Sequence, residues 1–197
     1  MIKIGITGGI GSGKSVVGEI LKLHDIPLFD ADREAKLLNN NSKLVQSKLI
    51  SHFGSSIYSD GILNRKKFAD LIFNSEENLQ IANSIIHPEL AERFIEWCNQ
   101  QNKSDIVAIE AAILIEAGFM QYIDKLITVY SPEELRIQRV MKRDDVSRDV
   151  VTARMKNQIT EEEKLQLSDF IIKNDGRHSL IQQVTDIVNL MLTSEKK

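Results

Sequence analysis

The sequence is short of several features that would mark a special class of protein. Cys98 is the single cysteine among 197 residues, so the chain can form neither an internal disulfide nor a thiolate metal cluster. It has no internal repeat, no low-complexity tract and no linker rich in proline, glycine or serine. No run approaches the ~18 uninterrupted apolar residues that cross a bilayer, and a basic leader with a cleavage site is missing. We therefore expect a cytoplasmic protein with no membrane association.

A strong excess of charge of either sign is also missing. Lys and Arg number 25 and Asp and Glu 28, which gives a net charge of −3, and 42% of the residues are hydrophobic. This balance argues against a nucleic-acid binder held by a basic face, but it is compatible with a local phosphate site. The length suits one domain, or a core with a modest insertion. We expect no nucleic-acid partner and no obligate protein partner.

What the sequence does contain is an alternation of short apolar runs with helical patterns. Five runs are typical of buried strands, at residues 2–7, 26–29, 106–109, 126–130 and 170–172. Strands that alternate with helices predict an α/β fold with a parallel sheet covered on both faces.

Capping signals and apolar spacing predict where several helices begin. Ser131 is expected as an N-cap with Pro132 at the first helical position, and Thr160 with Glu163 has the pattern of a capping box. A last helix is expected from about Ser179. Its predicted buried face consists of Leu180, Ile181, Val184, Ile187, Val188 and Met191.

Residues 31–105, between the second and third predicted strands, are more than a simple crossover requires. They hold amphipathic segments near residues 42–53, 66–73, 76–86 and 89–100, with a turn at 59–61. We interpret them as a helical insertion at the carboxyl edge of the sheet, where open α/β folds bind ligands. His87 and Pro88 stand at the head of the last segment. They could cap that helix or contact a substrate.

One motif carries specific chemistry. The segment from Gly8 to Ser15 fits the pattern G-x-x-x-x-G-K-[ST], directly after a predicted strand and before a predicted helix. Its glycines allow a tight loop whose backbone N–H groups surround phosphate oxygens at a helix N-terminus. Lys14 would reach the β- and γ-phosphates, and the Ser15 hydroxyl would ligate Mg²⁺. The motif predicts that the protein binds ATP.

Two acidic residues follow the second predicted strand. If the chain is extended there, alternation puts Asp30 and Asp32 on the same side. Asp32 would then be placed to accept the proton of an attacking hydroxyl as general base, while Asp30 could hold Mg²⁺ through water. Alternatively, the pair caps the helix that follows from Arg33.

A second group of charged residues follows the fourth predicted strand. Helical spacing puts Arg136, Arg139 and Arg143 along one face, with Arg148 and Arg154 further on. A helical hairpin whose basic face closes over ATP would neutralise charge on the phosphoryl group and exclude water. The alternative is that these arginines form a solvated face.

The four histidines do not have the spacing of metal ligands, which argues against a zinc site.

These motifs, in this order, resemble the dephospho-coenzyme A kinases over essentially the whole chain. Besides the loop and the acidic pair, the matching segments are residues 60–65 (Asp-Gly-Ile-Leu-Asn-Arg), His87-Pro88, residues 114–116, 138–144, 154–158 and 169–176.

The resemblance implies a three-layer α/β fold of the P-loop kinase type with a five-stranded parallel sheet. It implies transfer of the γ-phosphoryl group of ATP, with Mg²⁺, to the ribose 3′-hydroxyl of dephospho-coenzyme A, the final step of coenzyme A synthesis. One domain would cover residues 1–197. It would comprise a core at about 1–32, 104–134 and 166–197, an acceptor-binding insertion at about 33–103 and a lid at about 135–165.

The resemblance also implies roles for single residues. Lys14, Asp32, Arg139 and Arg143 would be catalytic, with Asp32 as the base and the two arginines in the lid. The acceptor would meet Asp32, Arg65, His87 and Glu116. The nucleotide would be held by Gly8, Gly9, Ile10, Gly11, Ser12, Gly13, Lys14, Ser15 and Val16, with Asn174 near the adenine.

One segment departs from the family pattern. Family members commonly have an aspartate and then a proline where this chain has Glu110 and Ala112. A glutamate reaches one methylene further, so we expect at most a contact with Mg²⁺ through water and assign no direct ligand there.

Other functions share the phosphate loop. A kinase of a nucleoside, a nucleotide or a sugar acid such as gluconate is the main alternative, and the large insertion favours an extended acceptor instead. A nucleotide-dependent switch would not require the acidic pair or the arginines. A structural protein with a vestigial loop is disfavoured because Lys14 and Ser15 are both present.

Overall fold

A computed structural model describes residues 1–194. Its strands are β1 (Ile2–Thr7), β2 (Leu28–Asp30), β3 (Tyr58–Ser59), β4 (Ile62–Leu63), β5 (Ile106–Glu110), β6 (Lys125–Tyr130) and β7 (Phe170–Lys173). Its helices are α1 (Lys14–Leu23), α2 (Ala31–Asn41), α3 (Lys43–Phe53), α4 (Arg65–Phe73), α5 (Glu76–Gln100), α6 (Glu133–Asp144), α7 (Arg148–Met155), α8 (Glu161–Leu167) and α9 (Leu180–Ser194). Short 3₁₀ turns occur at Ser55–Ile57 and Phe119–Tyr122.

The chain divides into two compact units. One consists of Met1–Phe29 together with the chain from Gln101 onward, and the other of Asp30–Gln100. The acceptor-binding role predicted for residues 33–103 and the lid predicted for residues 135–165 are functional assignments, and they stay predictions.

The sheet of the first unit is parallel, in the order β2-β5-β1-β6-β7, and confirms the predicted α/β class. β1 is central. It pairs with β5, where Ile6 lies opposite Glu110, and with β6, where Thr7 lies opposite Thr128. The apolar runs therefore identified all five strands, although β2 starts two residues later than its run. The register places the ends of β5 and β6 beside the loop that follows β1.

Both faces of this sheet are covered. Every residue from Ile106 to Ile109 and from Leu126 to Val129 is buried, as expected for central strands of a parallel sheet. On one face α1 and α9 pack against the strands, and the core there includes Ile4, Ile6, Val17, Leu21, Ile127, Val184 and Met191.

Ile181, predicted to be buried, is 63% exposed. Leu180 makes the core contact at this end of α9, and Ile181 points about 100° away from it around the helix.

The second unit is helical, with one small hairpin. β3 and β4 pair antiparallel across Asp60 and Gly61, which both have positive φ, at 51° and 76°. Two positive φ values are what a two-residue hairpin turn needs, and an Asp-Gly pair favours it. The core of this unit consists of Val45, Leu49, Ile57, Leu63, Phe68, Ala82 and Ile85. The sequence predicted the turn but not the strands.

α5 corrects the prediction of two separate helices at residues 76–86 and 89–100. It is one helix with Pro88 inside, so His87 and Pro88 do not head a helix. Proline removes one backbone hydrogen bond, but residues on both sides of it are buried, Ile85 before and Leu90 after. Packing against α2, α3 and α4 thus overrides the local signal. Within residues 1–194 no helix, α5 included, is long and apolar enough to cross a membrane.

Candidate functional site

The segment from Gly8 to Ser15 is a loop between β1 and α1, as its sequence context predicts. Gly11 and Gly13 have φ of +80° and +96°, in the left-handed region. A Cβ at Gly11 would meet the backbone oxygen of Arg136, and one at Gly13 would meet the carboxamide of Asn174. Glycine is therefore required at both positions, because of the backbone conformation and because neighbouring atoms approach closely.

The loop ends at an uncapped helix N-terminus. Gly13 is the N-cap of α1, so no side chain there accepts the first N–H groups, and the first turn contains no acidic residue. The positive end of the helix dipole, with no acidic side chain beside it, suits a phosphate. Val16, predicted to bind nucleotide, lies in this first turn and is 52% exposed.

Lys14 is buried and turns back toward the start of the loop. Its Nζ donates a hydrogen bond to the carbonyl oxygen of Gly8 at 2.9 Å and a longer one to that of Gly9 at 3.4 Å. The ammonium group is thereby held against the loop, where it can balance the charge of a bound phosphate.

Ser15 and Glu110 form an oxygen pair. The Ser15 hydroxyl donates to Glu110 Oε1 at 2.8 Å, because Glu110 is the last residue of β5 and lies beside β1. A hydroxyl and a carboxylate are the oxygen ligands that Mg²⁺ prefers, and Mg²⁺ normally takes few ligands from protein and the rest from phosphates and water. The residues present fit a Mg²⁺ that accompanies a nucleotide. The sequence did not predict the contact between Ser15 and Glu110, although an acidic residue at the end of a neighbouring strand was a usable signal.

Two predicted site residues, Arg139 and Asn174, are in contact with each other and with the loop. The Nη2 of Arg139 donates to the Asn174 backbone oxygen at 3.2 Å and to its Oδ1 at 3.3 Å. The Nδ2 of Asn174 in turn donates to the backbone oxygen of Ser12 at 2.7 Å. One carboxamide therefore joins the phosphate loop to an arginine of α6.

The start of α6 differs from the prediction. The helix begins at Glu133, and Pro132 is its N-cap rather than its first residue. The Ser131 hydroxyl does not cap the helix but accepts a hydrogen bond from Arg139 Nη1 at 3.1 Å. The Ser131 hydroxyl oxygen, which the local pattern assigned to the cap, thus serves Arg139 instead.

The arginines of α6 do not form one open basic face. Arg136 is only 4% exposed, and its Nε donates to the backbone oxygen of Ser131 at 3.1 Å. Arg143 is exposed and pairs with Asp144 at 2.8 Å, and Arg154 of α7 pairs with the same carboxylate at 2.8 Å. The three arginines share one side of α6, as their spacing predicts, but Arg136 is buried and bonded to Ser131, so it is not available to an open basic surface.

Gln158, which belongs to the matching segment 154–158 but was given no role there, bridges two segments of this unit. Its Oε1 accepts the N–H of Ile10 in the loop at 2.9 Å, and its Nε2 donates to the backbone oxygen of Ala112 at 2.7 Å. Its neighbour Ile159 donates its N–H to Glu116 Oε1 at 3.0 Å. A glutamine in a polar stretch carries no sequence signal of such a contact.

A pocket of about 500 Å³ adjoins these residues, lined by Tyr130, Arg136, Gln158, Glu161 and Lys164 among others. The Nζ of Lys164 lies 3.9 Å from Glu116 Oε1, and burial lowers the pKa of this lysine. A Cβ at Gly9 would meet both Arg136 and Glu161, so the pocket wall touches the phosphate loop.

The predicted site residues of the second unit have separate surroundings. Asp30 is the N-cap of α2, and its side chain accepts the N–H of Arg33 at 2.9 Å. Asp32 is exposed in the first turn of this helix. The two carboxylates therefore do not alternate along an extended chain, and for Asp30 the capping alternative is confirmed. Asp30 has extended backbone angles and Asp32 is helical, so the alternation of an extended chain does not apply to the pair.

Arg65 and His87 complete the predicted set. Arg65 is exposed at the start of α4, and His87 is half-buried within α5. Burial lowers the pKa of His87, because the charged imidazolium loses its hydration there. Within residues 1–194 no group of three or more His, Cys, Asp or Glu side chains could hold a metal ion by itself.

Comparisons with known proteins give matches over nearly the whole chain. The family model of dephospho-CoA kinase matches residues 2–179. The dephospho-CoA kinase of Porphyromonas gingivalis is 42% identical, covering 98% of this chain and 96% of the relative, and that of Bacteroides fragilis is 38% identical, covering 95% and 91%. The structure of the dephospho-CoA kinase from Campylobacter jejuni superimposes with a TM-score of 0.70 at 27% identity, covering 98% of each chain. The chain has the phosphate loop and matches these relatives over nearly its full length. It therefore belongs to the dephospho-CoA kinase family.

Proposed function

We propose that this protein uses ATP, with Mg²⁺, to phosphorylate the ribose 3′-hydroxyl of dephospho-CoA. The observation that carries the donor side is the loop from Gly8 to Ser15, where Lys14 and the uncapped N-terminus of α1 present positive charge to a phosphate chain. Such charges stabilise the transferring phosphoryl group without covalent chemistry by the protein.

Ser15 and Glu110 are the residues that would hold Mg²⁺, supported by their 2.8 Å contact. When bound, the ion neutralises charge on the β- and γ-phosphates. Asn174, hydrogen-bonded to Ser12 and Arg139, would border the adenine. Arg139 and Arg143 would act on the phosphates as part of a lid.

On the acceptor side, Asp32 is the proposed general base. Asp30 caps α2 through the N–H of Arg33, and Asp32 lies exposed in the first turn of this helix. We infer that Asp32 receives the proton of the attacking hydroxyl. Arg65, His87 and Glu116 are proposed to contact the acceptor.

The test is incubation of the purified protein with Mg·ATP and one acceptor at a time, followed by mass spectrometry of the acceptor. Dephospho-CoA is expected to gain one phosphoryl group, and adenosine and gluconate are expected to gain none. Phosphorylation of gluconate or adenosine in preference to dephospho-CoA would reject the proposed acceptor. Nucleotide binding without phosphorylation of any of the three would favour a switch.

A further inference from the structure

Lys164 of α8 is a buried lysine whose ammonium group makes no hydrogen bond. The residue has no exposed surface, and its Nζ has no hydrogen-bond partner within residues 1–194. An ammonium group in the interior is costly, and an apolar side chain of similar length would fill the same space at less cost. Packing alone therefore does not account for this positive charge.

Two carboxylates and one guanidinium act on this ammonium group. Burial lowers the pKa of Lys164, whereas the charges of Glu116 and Glu161 raise it and that of Arg136 lowers it further. Glu161 shares its charge with Arg136, whose Nη1 is 4.0 Å from Glu161 Oε1. Glu116 lies 3.9 Å from Lys164 Nζ and has no second cation at ion-pair distance in the part of the chain that the structure describes. Lys164 is thus the counter-charge of Glu116 among those residues.

We propose that Lys164 is a positioning residue, whose charge fixes the carboxylate of Glu116 for contact with the acceptor. The inference rests on the proposed function, which assigns Glu116 to the acceptor. Glu116 Oε1 accepts the N–H of Ile159 at 3.0 Å, and its Oε2 makes no hydrogen bond to any residue of 1–194. A separation of 3.9 Å is too long for a hydrogen bond, so Lys164 acts on the carboxylate through its charge. One carboxylate oxygen is held, and the other is left for a hydrogen-bond donor of the acceptor.

The backbone that carries Lys164 is fixed to the sheet. α8 packs against β6, and the Thr128 hydroxyl of that strand donates a long hydrogen bond, at 3.5 Å, to the backbone oxygen of Lys164. The Ser168 hydroxyl donates to the same oxygen at 2.6 Å. The start of the helix is held by the capping box of Thr160 and Glu163. A cation on an element that is ordered in advance suits the positioning of a neighbouring carboxylate.

The experiment compares Lys164→Met with Lys156→Met, which removes an exposed lysine from the wall of the same pocket of about 500 Å³. Steady-state kinetics with dephospho-CoA and with ATP are measured for both variants. Lys164→Met is expected to raise KM for dephospho-CoA about tenfold, because Glu116 loses its counter-charge. KM for ATP is expected to stay within about twofold, as are all constants of Lys156→Met.

A double-mutant cycle with Glu116→Gln separates positioning from packing. Glu116→Gln is expected to raise KM for dephospho-CoA by a similar factor, and adding Lys164→Met to it is expected to change KM by less than about twofold. Lys164→Arg keeps the charge, and the adjoining pocket has room for the larger side chain, so most of the wild-type KM is expected to return. Additive effects of Lys164→Met and Glu116→Gln would overturn the inference, and so would an equal rise in KM for both substrates.

Thermal unfolding shows whether Lys164→Met is folded. If it is not, Lys164→Met combined with Glu161→Gln, which removes one charge of each sign, takes its place, and an unchanged KM for dephospho-CoA would overturn the inference. If the wild-type protein forms no product, the proposed function fails. Calorimetric titration with dephospho-CoA, which needs no turnover, then compares the same variants. Equal affinities of wild type and variant would reject the role of Lys164, and no binding to the wild type would reject it together with the acceptor.

Discussion

Lys14 illustrates how a single side chain can combine a structural and a chemical role. Its ammonium group contacts two carbonyl oxygens of the loop and is almost fully buried. We predict that Lys14→Ala abolishes phosphoryl transfer, since it removes the positive charge nearest the proposed phosphate site. The mass of the acceptor after incubation with Mg·ATP is the measurement. Lys66→Ala removes an exposed cation and serves as the control; retention of more than a tenth of the activity in Lys14→Ala would contradict the prediction.

Asp32→Asn tests the general base without changing shape. We expect kcat to fall by about 10²-fold or more, the usual cost of removing a base, while the affinity for ATP stays close to that of the wild type. A loose phosphoryl-transfer transition state depends less on proton removal, so a loss near the lower end would indicate that Asp32 mainly orients the hydroxyl. Asp30→Asn, which alters the cap of α2, is the matched control. Turnover near the wild-type rate in Asp32→Asn would show that another group serves as base.

His87 predicts a pH dependence of stability. Burial lowers its pKa from the usual 6.5, so below about pH 6.5 the unfolded chain takes up a proton that the folded chain does not. Stability is therefore lost as the pH falls from there to the lowered pKa, and His87→Gln removes this loss. Urea denaturation at about pH 7.5 and about pH 5 is expected to show a larger decrease for the wild type than for the variant. Equal decreases would exclude a contribution from this imidazole.

Not all of these side chains were equally predictable. The residues of the phosphate loop are contiguous, so one motif identifies them. The contact between Ser15 and Glu110 depends on the register of β1 with β5, and that of Gln158 with Ile10 depends on how a distant segment returns to the loop. Neither is a local property of the sequence. The extended geometry predicted for Asp30 and Asp32 was wrong because α2 begins at Ala31.

At the scale of elements, α8 has the clearest sequence-encoded boundary. Thr160 Oγ1 accepts the N–H of Glu163 at 3.2 Å, and Glu163 Oε2 accepts the N–H of Thr160 at 2.9 Å, as the capping box predicted. We predict that Thr160→Ala lowers the free energy of unfolding by about 1 kcal/mol, measured by denaturant titration. Thr152→Ala, which removes a hydroxyl from the middle of α7, should change it by less than about 0.5 kcal/mol. Equal effects of the two substitutions would contradict the prediction that the cap at Thr160 stabilises the protein.

Elements whose local and tertiary preferences agree were predicted correctly. The inner strands β5, β1 and β6 are continuous apolar runs because they are largely buried on both faces of the sheet. α5 is the opposite case, since Pro88 signals a break and packing against three other helices keeps the helix intact. The two-residue strands β3 and β4 are too short to leave a periodic pattern, so the Asp-Gly turn between them was visible and they were not.

For the whole molecule, the proposed binding of Mg·ATP predicts a thermal shift. A ligand at 100 times its Kd stabilises the folded state by about 2.7 kcal/mol, which for a chain of this size raises Tm by about 5–10 °C. Chelation of Mg²⁺ with EDTA is expected to reduce the shift in Tm, because Ser15 and Glu110 would then have no metal ion to bind. Lys14→Ala is expected to abolish it. An equal shift in Tm with and without Mg²⁺ would contradict the proposal that the ion takes part in nucleotide binding.

The double hydrogen bond of Gln158 has a consequence for how this unit can move. The residue is anchored to the phosphate loop and to the backbone of Ala112 at once, and Ile159 is fastened to Glu116 immediately after it. Gln158 and Ile159 are therefore held to this unit, and we predict that motion of the proposed lid at residues 135–165 is confined to the chain before Gln158. Amide hydrogen exchange is then expected to be faster in α7 than in α8.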